Sequence, residues 1–433
     1  MEQIVFWHRR DLRIEDNAGL FKALKSGKVQ PIFIFDRNIL DQLPENDQRM
    51  VFLHREIETL KNAYQKLGCE LEVFYGKPLE IIPELCEKIE AKHVITNRDY
   101  EPYALDRDSK MLKLLEEKNI RFSGAKDQVI FEKNEVMKAD GTPYTVFTPY
   151  MRKWKSLLTD FYLSSYPVEK YTTNLSASKK RSGMPSLKEM GFKEEQTVDF
   201  PSPVPDIPII KKYDQDRDFP ALDATTRLSL HLRFGTVSIR SLVRTAIKNN
   251  ETWLNELIWR EFYQMILFHF PHSAKDSFRK DYDRIRWEHN EEHFKAWCEG
   301  KTGYPLVDAG MREINATGFM HNRVRMVVAS FLTKHLLIDW RLGEGYFAEK
   351  LLDYELASNV GGWQWAAGSG CDAAPYFRVF NPTSQQQKFD PEFKYIKKWV
   401  PELGTEKYPE PIIDHAFARE RVLKRYKEAL KKD

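Results

Sequence analysis

Short apolar runs alternate with amphipathic stretches over the first 125 residues of the chain. The apolar runs predict buried strands at residues 4–7, 31–35, 70–75 and 93–97. The amphipathic stretches predict helices at 48–68 and 79–91. Strands that alternate with helices in this way indicate a parallel sheet covered by helices on both faces. No G-x-G-x-x-G follows the first strand, so we expect a Rossmann-like sheet without the usual dinucleotide loop.

From residue 218 onward the strand pattern disappears. Helical periodicity replaces it at residues 252–270, 305–315, 321–340 and 417–432. Several of these segments are apolar on most sides, which is typical of helices inside a large helical domain. The intervening region contains linker-like stretches, S-A-S-K-K-R-S-G and P-S-P-V-P-D-I-P. The sequence therefore predicts an α/β domain (1–125), a linker with some helix (126–217) and an all-α domain (218–433).

Composition and charge exclude some classes of protein. The 433 residues carry a net charge of only +3, so any nucleic-acid surface must be a local basic patch. The four cysteines form no C-x-x-C, which indicates reduced thiols instead of disulfides or a zinc site. The histidines at 289 and 293 lack the H-E-x-x-H order, and we expect no metal. Without a signal peptide or a long apolar run, we expect a cytoplasmic protein that does not enter a membrane.

The segment 252–270 carries one face with unusual chemistry. Glu256, Trp259, Arg260 and Tyr263 are spaced i, i+3, i+4 and i+7, so they share one side of the predicted helix. Such a face can stack an aromatic ring on a planar ligand and orient that ligand with charged groups. The spacing alone favours an intrahelical Glu256–Arg260 pair beside a half-buried tryptophan over such a binding face.

A group of hydroxyl side chains precedes a second helix. Thr225, Thr226 and Ser229 surround Arg227, and together they could hold a phosphate. A capped helix start would have the same composition.

A third group lies inside an otherwise apolar segment. Asn322, Arg325 and Met326 lie at i, i+3 and i+4, where buried polar groups need partners. Asp353 and Asn359 follow downstream, and a buried Arg325–Asp353 pair is one solution, either structural or part of a site.

Taken together, three long segments resemble the photolyase/cryptochrome flavoproteins, and most closely the class I cyclobutane pyrimidine dimer photolyases. The resemblance is strongest over 253–263, 301–332 and 361–385. The R-R-D-L-R signature at 9–13, with D-N at 16–17, and R-D-F-P at 217–220 agree with it. It implies an N-terminal α/β antenna-binding domain and an all-α C-terminal FAD-binding domain that also binds DNA.

The resemblance also implies roles for individual residues. The FAD-binding residues would be Tyr213, Thr225, Thr226, Arg227, Leu228, Ser229, Asn322, Arg325, Asp353, Tyr354, Glu355 and Asn359. The residues in contact with DNA or the lesion would be Arg217, Glu256, Trp259, Arg260, Tyr263, Asn322, Met326, Trp365 and Gln385. Glu256 would stabilise the dimer radical anion, and Asn359 would face the flavin N5. An electron chain would run through Trp363, Trp340 and Trp287.

The implied function is light-dependent repair of pyrimidine dimers in UV-damaged DNA by a carbon–carbon lyase. Photoexcited reduced FAD would donate an electron to a flipped-out dimer, and we expect a monomer. Asn322 after His321, and Asn359 in place of Asp, favour dimer repair over the related subclasses. The alternative is a cryptochrome-like blue-light photoreceptor with the same FAD and tryptophan chain. The chain ends at Y-K-E-A-L-K-K-D, soon after its last predicted helix, and on this ground we expect repair.

The antenna chromophore is less well specified by the resemblance. Glu101 and Lys275 match folate-contacting positions, but Ala274 precedes that lysine where a folate-type site would have Cys. Folate, deazaflavin and a second flavin all remain candidates for the antenna.

Overall fold

Five parallel strands form the sheet in the N-terminal part of the chain. In the computed structural model, which describes residues 1–178 and 182–431, their order is β3-β2-β1-β4-β5. The strands are β1 (Gln3–His8), β2 (Lys28–Asp36), β3 (Glu72–Gly76), β4 (His93–Asn97) and β5 (Arg121–Ala125). Strands β1 and β2 are buried almost throughout, as expected when helices cover both faces of a parallel sheet. The four predicted strands are confirmed, and β5 was not predicted.

Helices make up most of the remaining structure. Within the described residues they are α1 (Ala18–Ser26), α2 (Arg37–Leu40), α3 (Gln48–Lys66), α4 (Pro78–Lys88), α5 (Pro102–Glu116), α6 (Phe147–Leu157), α7 (Asp160–Leu163), α8 (Ile207–Lys211), α9 (Tyr213–Asp216), α10 (Ser229–Phe234), α11 (Ile239–Asn249), α12 (Glu251–His269), α13 (Glu291–Glu299), α14 (Pro305–Thr317), α15 (Asn322–Ser330), α16 (Trp340–Lys350), α17 (Leu356–Ala367), α18 (Pro382–Phe389), α19 (Lys394–Trp399) and α20 (His415–Ala429). Short 3-10 turns lie at Val168–Asn174, Pro271–Ala274 and Lys280–Arg284. No helix in the described part of the chain is both long and apolar enough to cross a bilayer.

The chain divides into two units, and each unit draws on segments that are distant in sequence. The α/β unit contains Met1–Glu135, Lys155–Pro205 and Arg227–Lys248. The helical unit contains Val136–Trp154, Asp206–Thr226 and 249–431.

This division differs from the predicted boundaries. The predicted linker 126–217 is shared between both units, and part of the predicted helical domain packs in the α/β unit. Burial of apolar faces, which linker-like composition does not reveal, decides where each segment packs. Residues 179–181 of the predicted linker and 432 of the last predicted helix lie outside the described residues.

The R-R-D-L-R signature has a structural role at the carboxyl end of β1. The side chain of Asn97, at the end of β4, donates to Asp11 (2.6 Å) and to Asn17 (2.8 Å). The side-chain carboxamide oxygen of Asn97 accepts the backbone N–H of Gly19 (2.9 Å). Asn17 caps α1, because its side chain accepts the backbone N–H of Leu20. The signature loop is therefore bound to the sheet and to the first helix by buried hydrogen bonds.

One predicted helix is wrong. The segment 321–340 forms α15 and then a π-helical turn, Phe331–His335, after which the chain breaks before α16. Leu337 has φ of 54°, a left-handed conformation that ends regular helix for a residue with a side chain. Asp339 then caps α16 by accepting the N–H of Arg341 (3.0 Å). Apolar periodicity continues through this break because both sides of it are buried.

Candidate functional site

The candidate site lies on α12 in the helical unit. Asn250 caps this helix by accepting the N–H of Trp253 (3.1 Å). Leu254, Ile258 and Phe262 are buried, so this side of the helix packs in the core. The side chains of Glu256, Trp259 and Tyr263 share another face and remain only partly buried. The predicted amphipathic face is therefore present and accessible.

Glu256 forms an ion pair with Arg217. Arg217 follows α9, and its guanidinium also lies over the ring of Tyr213 at 5.6 Å. Burial raises the pKa of Glu256, while the nearby charge of Arg217 opposes that rise. The site thus holds a carboxylate whose charge depends on a neighbouring arginine.

Arg260 has a different partner from the one that helical spacing allowed. Its guanidinium donates to Glu355 (2.9 Å), which also accepts from Gln264 (3.0 Å). Glu355 is buried and directly precedes α17 without a side-chain capping bond, so this pair joins two packed elements. The intrahelical Glu256–Arg260 pair is therefore not formed. The pairing leaves both side chains largely buried, and their predicted contacts with DNA and FAD stay predictions.

Trp259 has a stacking partner that the sequence did not suggest. Phe147, the first residue of α6, lies parallel to the indole with 3.6 Å between ring centroids and 6° between the planes. Phe147 comes from the predicted linker, and no local pattern marks it as part of a site. The second predicted wall of the lesion pocket, Trp365, is half-buried and tilted against Phe380 at 6.3 Å.

Helix α17 carries Asn359, whose carboxamide N–H group donates to Glu344 on α16. The bonds reach the Glu344 carboxylate (2.9 Å) and its backbone carbonyl (3.1 Å). The carboxamide oxygen of Asn359 is therefore the atom left to face a ligand. Burial raises the pKa of Glu344, a residue that sequence reasoning missed.

The two glycines of α17 have different surroundings. A Cβ on Gly361 would lie 2.3 Å from the Tyr263 ring, so this glycine permits close packing of α17 on α12. A Cβ on Gly362 would meet open space instead. Gly362 and Asn359 are three residues apart and share a helix face, which leaves room beside the asparagine.

The predicted Arg325–Asp353 pair is present. The guanidinium of Arg325 donates to both carboxylate oxygens of Asp353 (3.1 and 3.2 Å) and to the Met320 carbonyl (2.7 Å). Asn322 is exposed at the start of α15, and Met326 is half-buried on the same helix. Tyr354, beside Asp353, is also half-buried.

An ion pair brings the Arg217 segment to the start of α15. The guanidinium of Arg323 donates to the Asp218 carboxylate (2.7 Å) and to the Sδ of Met326 (3.8 Å). Burial lowers the pKa of the adjacent His321 to about 4, so the ring is neutral near pH 7. Gln385, on α18, is half-buried, and the structure records no hydrogen bond that links it to this group.

The three tryptophans of the predicted chain differ in burial. Trp363 and Trp340 are 2% and 1% exposed, whereas Trp287 is only partly buried. Gly343 makes room for Trp363, because a Cβ there would lie 2.2 Å from the indole. Trp287 contacts Tyr426 edge-on at 6.2 Å. The burial order agrees with a path from the surface to the interior, and the relay itself stays a prediction.

The residues of the helical unit fit an FAD-type ligand. Asn359 provides an amide beside the open space at Gly362, and Arg325 with Asp353 supplies a polar pair. Thr225 and Thr226 are half-buried hydroxyl donors at the end of a segment of this unit. Of the remaining predicted residues, Arg227 has φ of 49°, Leu228 is buried and Ser229 begins α10.

The predicted antenna residues have protein partners. Arg10 donates to Glu101 (3.0 Å), and Arg233 lies 3.5 Å from the same carboxylate. Lys275 is exposed, and its backbone carbonyl accepts from Arg341 (2.7 Å). A folate site at these residues stays a prediction. Among the described residues, no group of three or more potential ligands could hold a metal ion.

Comparison with known proteins identifies relatives of both halves of the chain. Residues 4–169 match the family model described as DNA photolyase, and residues 253–406 match the FAD binding domain of DNA photolyase. A deoxyribodipyrimidine photo-lyase from Synechococcus sp. is 38% identical over 458 residues, covering 95% of this chain and 94% of that protein.

Solved structures show the same fold over the full length. A bacterial class III photolyase from Agrobacterium tumefaciens superposes with a TM-score of 0.88 at 32% identity, covering 100% of this chain and 98% of that one. An archaeal photolyase from Sulfolobus tokodaii, solved with two FAD molecules, gives 0.82 at 34% identity, covering 98% and 100% of the two chains.

Proposed function

The chain belongs to the photolyase/cryptochrome family, and on that premise we propose that it repairs cyclobutane pyrimidine dimers in DNA with light. It is a lyase of the deoxyribodipyrimidine photo-lyase type, and it carries the FAD binding domain of that family. Dimer specificity, electron transfer and base flipping are the parts of the proposal that need an experiment.

The observation that carries the proposal is the accessible face of α12. Glu256 and Trp259 lie on it one helical turn apart, with Arg217 paired to the carboxylate. A nucleotide taken out of the duplex needs an aromatic surface for stacking and a polar group for its base edge. These residues supply both, and Trp365 is the proposed opposite wall.

In the proposal, Arg217 also binds a phosphate group of the DNA. In the free protein it pairs with Glu256, and both side chains are about one-third exposed, so the pair can exchange partners. We infer that a DNA phosphate takes over Arg217 when the damaged strand binds. Glu256, released from the arginine and partly buried, then favours its protonated form and donates a hydrogen bond to the dimer.

The residues of the helical unit would hold reduced FAD, which upon excitation would supply the electron that splits the dimer and would take it back. Asn359 would present its carboxamide oxygen to the flavin N5, because its N–H group is held by Glu344. Tyr213, Thr225, Thr226, Arg325 and Asp353 would bind other parts of the cofactor.

The proposed electron chain begins at the partly exposed Trp287 and continues inward through Trp340 to Trp363. The proposal includes a second, light-collecting chromophore, because the archaeal relative was solved with two FAD molecules. The monomeric state of the protein also remains a proposal.

The decisive experiment illuminates the reduced protein in the presence of an oligonucleotide with one thymine dimer. Restored thymines, measured by chromatography, should increase with light dose and stay absent in the dark. A 2-aminopurine opposite the dimer should brighten on binding if the lesion leaves the stack. Bound FAD that is photoreduced, with no repair at any dose, would refute the proposal and support a blue-light photoreceptor.

A further inference from the structure

We propose that Phe147 is a positioning residue of the lesion site, which holds the indole of Trp259 in the orientation that a flipped-out dimer meets. This inference rests on the proposed function for the identity of the ligand. The geometry of the aromatic pair, and the bonds that fix it, do not depend on that function.

The two rings are in close, parallel contact. Their centroids are 3.6 Å apart and their planes differ by 6°, which is closer than the usual 4.5–7 Å separation of aromatic pairs. Phe147 is itself buried. One face of the Trp259 indole is therefore covered by protein, and a base can approach only its other face or its edge.

Other aromatic side chains limit the remaining motion of Trp259. Phe262 meets the indole edge-on at 5.6 Å, and Tyr263 lies at 5.5 Å with a tilt of 31°. Phe262 also contacts Phe147 edge-on at 5.8 Å. Any rotation of the indole away from its present plane would break the stack with Phe147.

Helix α6, which carries Phe147, is itself fixed to α12. The indole N–H of Trp154 donates to Glu261 (2.5 Å), and the hydroxyl of Tyr150 lies 3.5 Å from the same carboxylate. Phe147, Tyr150 and Trp154 are spaced i, i+3 and i+7, so they share one helix face. Glu261 is almost completely buried, so the loss of these two hydrogen bonds would be costly.

The start of α6 has an additional bond. The backbone N–H of Phe147 donates to the carboxylate of Asp372 (3.0 Å), which lies in the loop after α17. That loop follows Trp365, the proposed opposite wall of the pocket. Phe147 is thus tied to α12, which carries one proposed wall, and to the loop that follows the helix of the other.

A fixed indole lowers the cost of binding. A ligand that stacks on a mobile side chain must first pay for immobilising it, whereas a pre-oriented ring has lost that freedom during folding. Binding of undamaged duplex depends on phosphate contacts and does not use this wall. Phe147 therefore contributes to discrimination between dimer-containing and undamaged DNA.

The test compares Phe147→Leu with the wild-type holoenzyme. We expect the Kd for dimer-containing DNA to rise by about threefold to tenfold, the worth of one aromatic pair, while the Kd for undamaged DNA stays constant. In steady-state repair KM should rise by the same factor and kcat should not change, because Glu256 and the cofactor pocket remain intact. Phe147→Tyr, which keeps a flat ring, should restore most of the affinity.

A matched control separates positioning from stability. Phe331→Leu removes another buried phenylalanine of the helical unit, stacked on His335 at 4.8 Å, and should lower stability without changing dimer discrimination. With 5-fluorotryptophan incorporated, the fluorine resonance assigned through Trp259→Phe should move in Phe147→Leu and stay in place in Phe331→Leu.

Two results would overturn the proposal. One is a moved resonance in Phe147→Leu with unchanged dimer discrimination, and the other is an equal loss of discrimination in both leucine variants. Failure of the proposed function gives a different outcome. The wild type would then neither prefer dimer-containing DNA nor repair it, while the resonance would still report the stack.

Discussion

Two Arg–Glu pairs involve residues of α12, and they differ in burial and in what they do. Arg217 and Glu256 are 29% and 33% exposed, whereas Arg260 and Glu355 are 10% and 7% exposed. The exposed pair gains little from its contact, so its members can exchange partners when DNA binds. The buried pair joins α12 to the start of α17, and neither charge can lose its partner cheaply. Burial, and not residue type, separates the exchangeable pair from the structural one.

The largest expected difference between the two Arg–Glu pairs is in the free energy of unfolding that each contributes. Glu355→Ala leaves the guanidinium of Arg260 buried without its carboxylate, and we expect a loss of about 3–5 kcal/mol in the free energy of unfolding. Glu256→Ala, the matched change in the exposed pair, should cost at most about 1 kcal/mol. Urea unfolding of both variants measures this difference. Equal losses would contradict the comparison.

The next effect concerns repair. Glu256→Ala removes one hydrogen bond to the dimer, so we expect repair per absorbed photon to fall by about twofold to tenfold. FAD content, measured by absorbance, should match the wild type because Glu256 does not hold the cofactor in the proposed arrangement. Loss of FAD in this variant would show that the exposed pair has a structural role as well.

A smaller effect is expected on the pKa of Glu256. Burial raises the pKa of Glu256 and Arg217 opposes that rise, so Arg217→Gln should move the pKa further upward. The protonated carboxyl then persists to higher pH than in the wild type. Its infrared carbonyl band, identified by subtraction of Glu256→Ala, follows the titration. A midpoint that stays constant or falls would mean that Arg217 does not control this carboxyl.

The same variant should bind DNA with less dependence on salt. If Arg217 contacts a phosphate, the slope of log K against log salt should decrease by about 0.9 in Arg217→Gln. Arg260→Gln should leave this slope unchanged in the protein that remains folded, because Arg260 lies in the interior. Equal slopes in wild type and Arg217→Gln would remove Arg217 from the DNA contacts.

Of these changes, Trp287→Phe should have the smallest effect on repair that depends on either Arg–Glu pair. This change lies outside both pairs, so repair by enzyme that has been reduced chemically should stay at the wild-type level. Photoreduction of the bound flavin should stop, because the outermost donor of the chain is missing. Normal photoreduction in this variant would show that electrons take another path.

Local patterns predicted several elements correctly, for identifiable reasons. The apolar runs at β1, β2 and β4 and the stripe on α12 reflect burial of one face, which periodicity records directly. The helix predicted over 321–340 was wrong because periodicity continues across the break at Leu337. Asp339 before Trp340 is a cap residue, and this signal could have located the start of α16.

The sequence by itself determined the parallel α/β pattern, the chemical face of α12 and the family resemblance, because each depends on residues close together or on long matching segments. Only the tertiary structure decided that Arg260 pairs with Glu355, 95 residues away, and that Glu256 pairs with Arg217. It also placed Phe147 from the predicted linker against Trp259. Helical spacing shows which residues share a face, but the packing of distant segments decides which partner each side chain contacts and how far water reaches it.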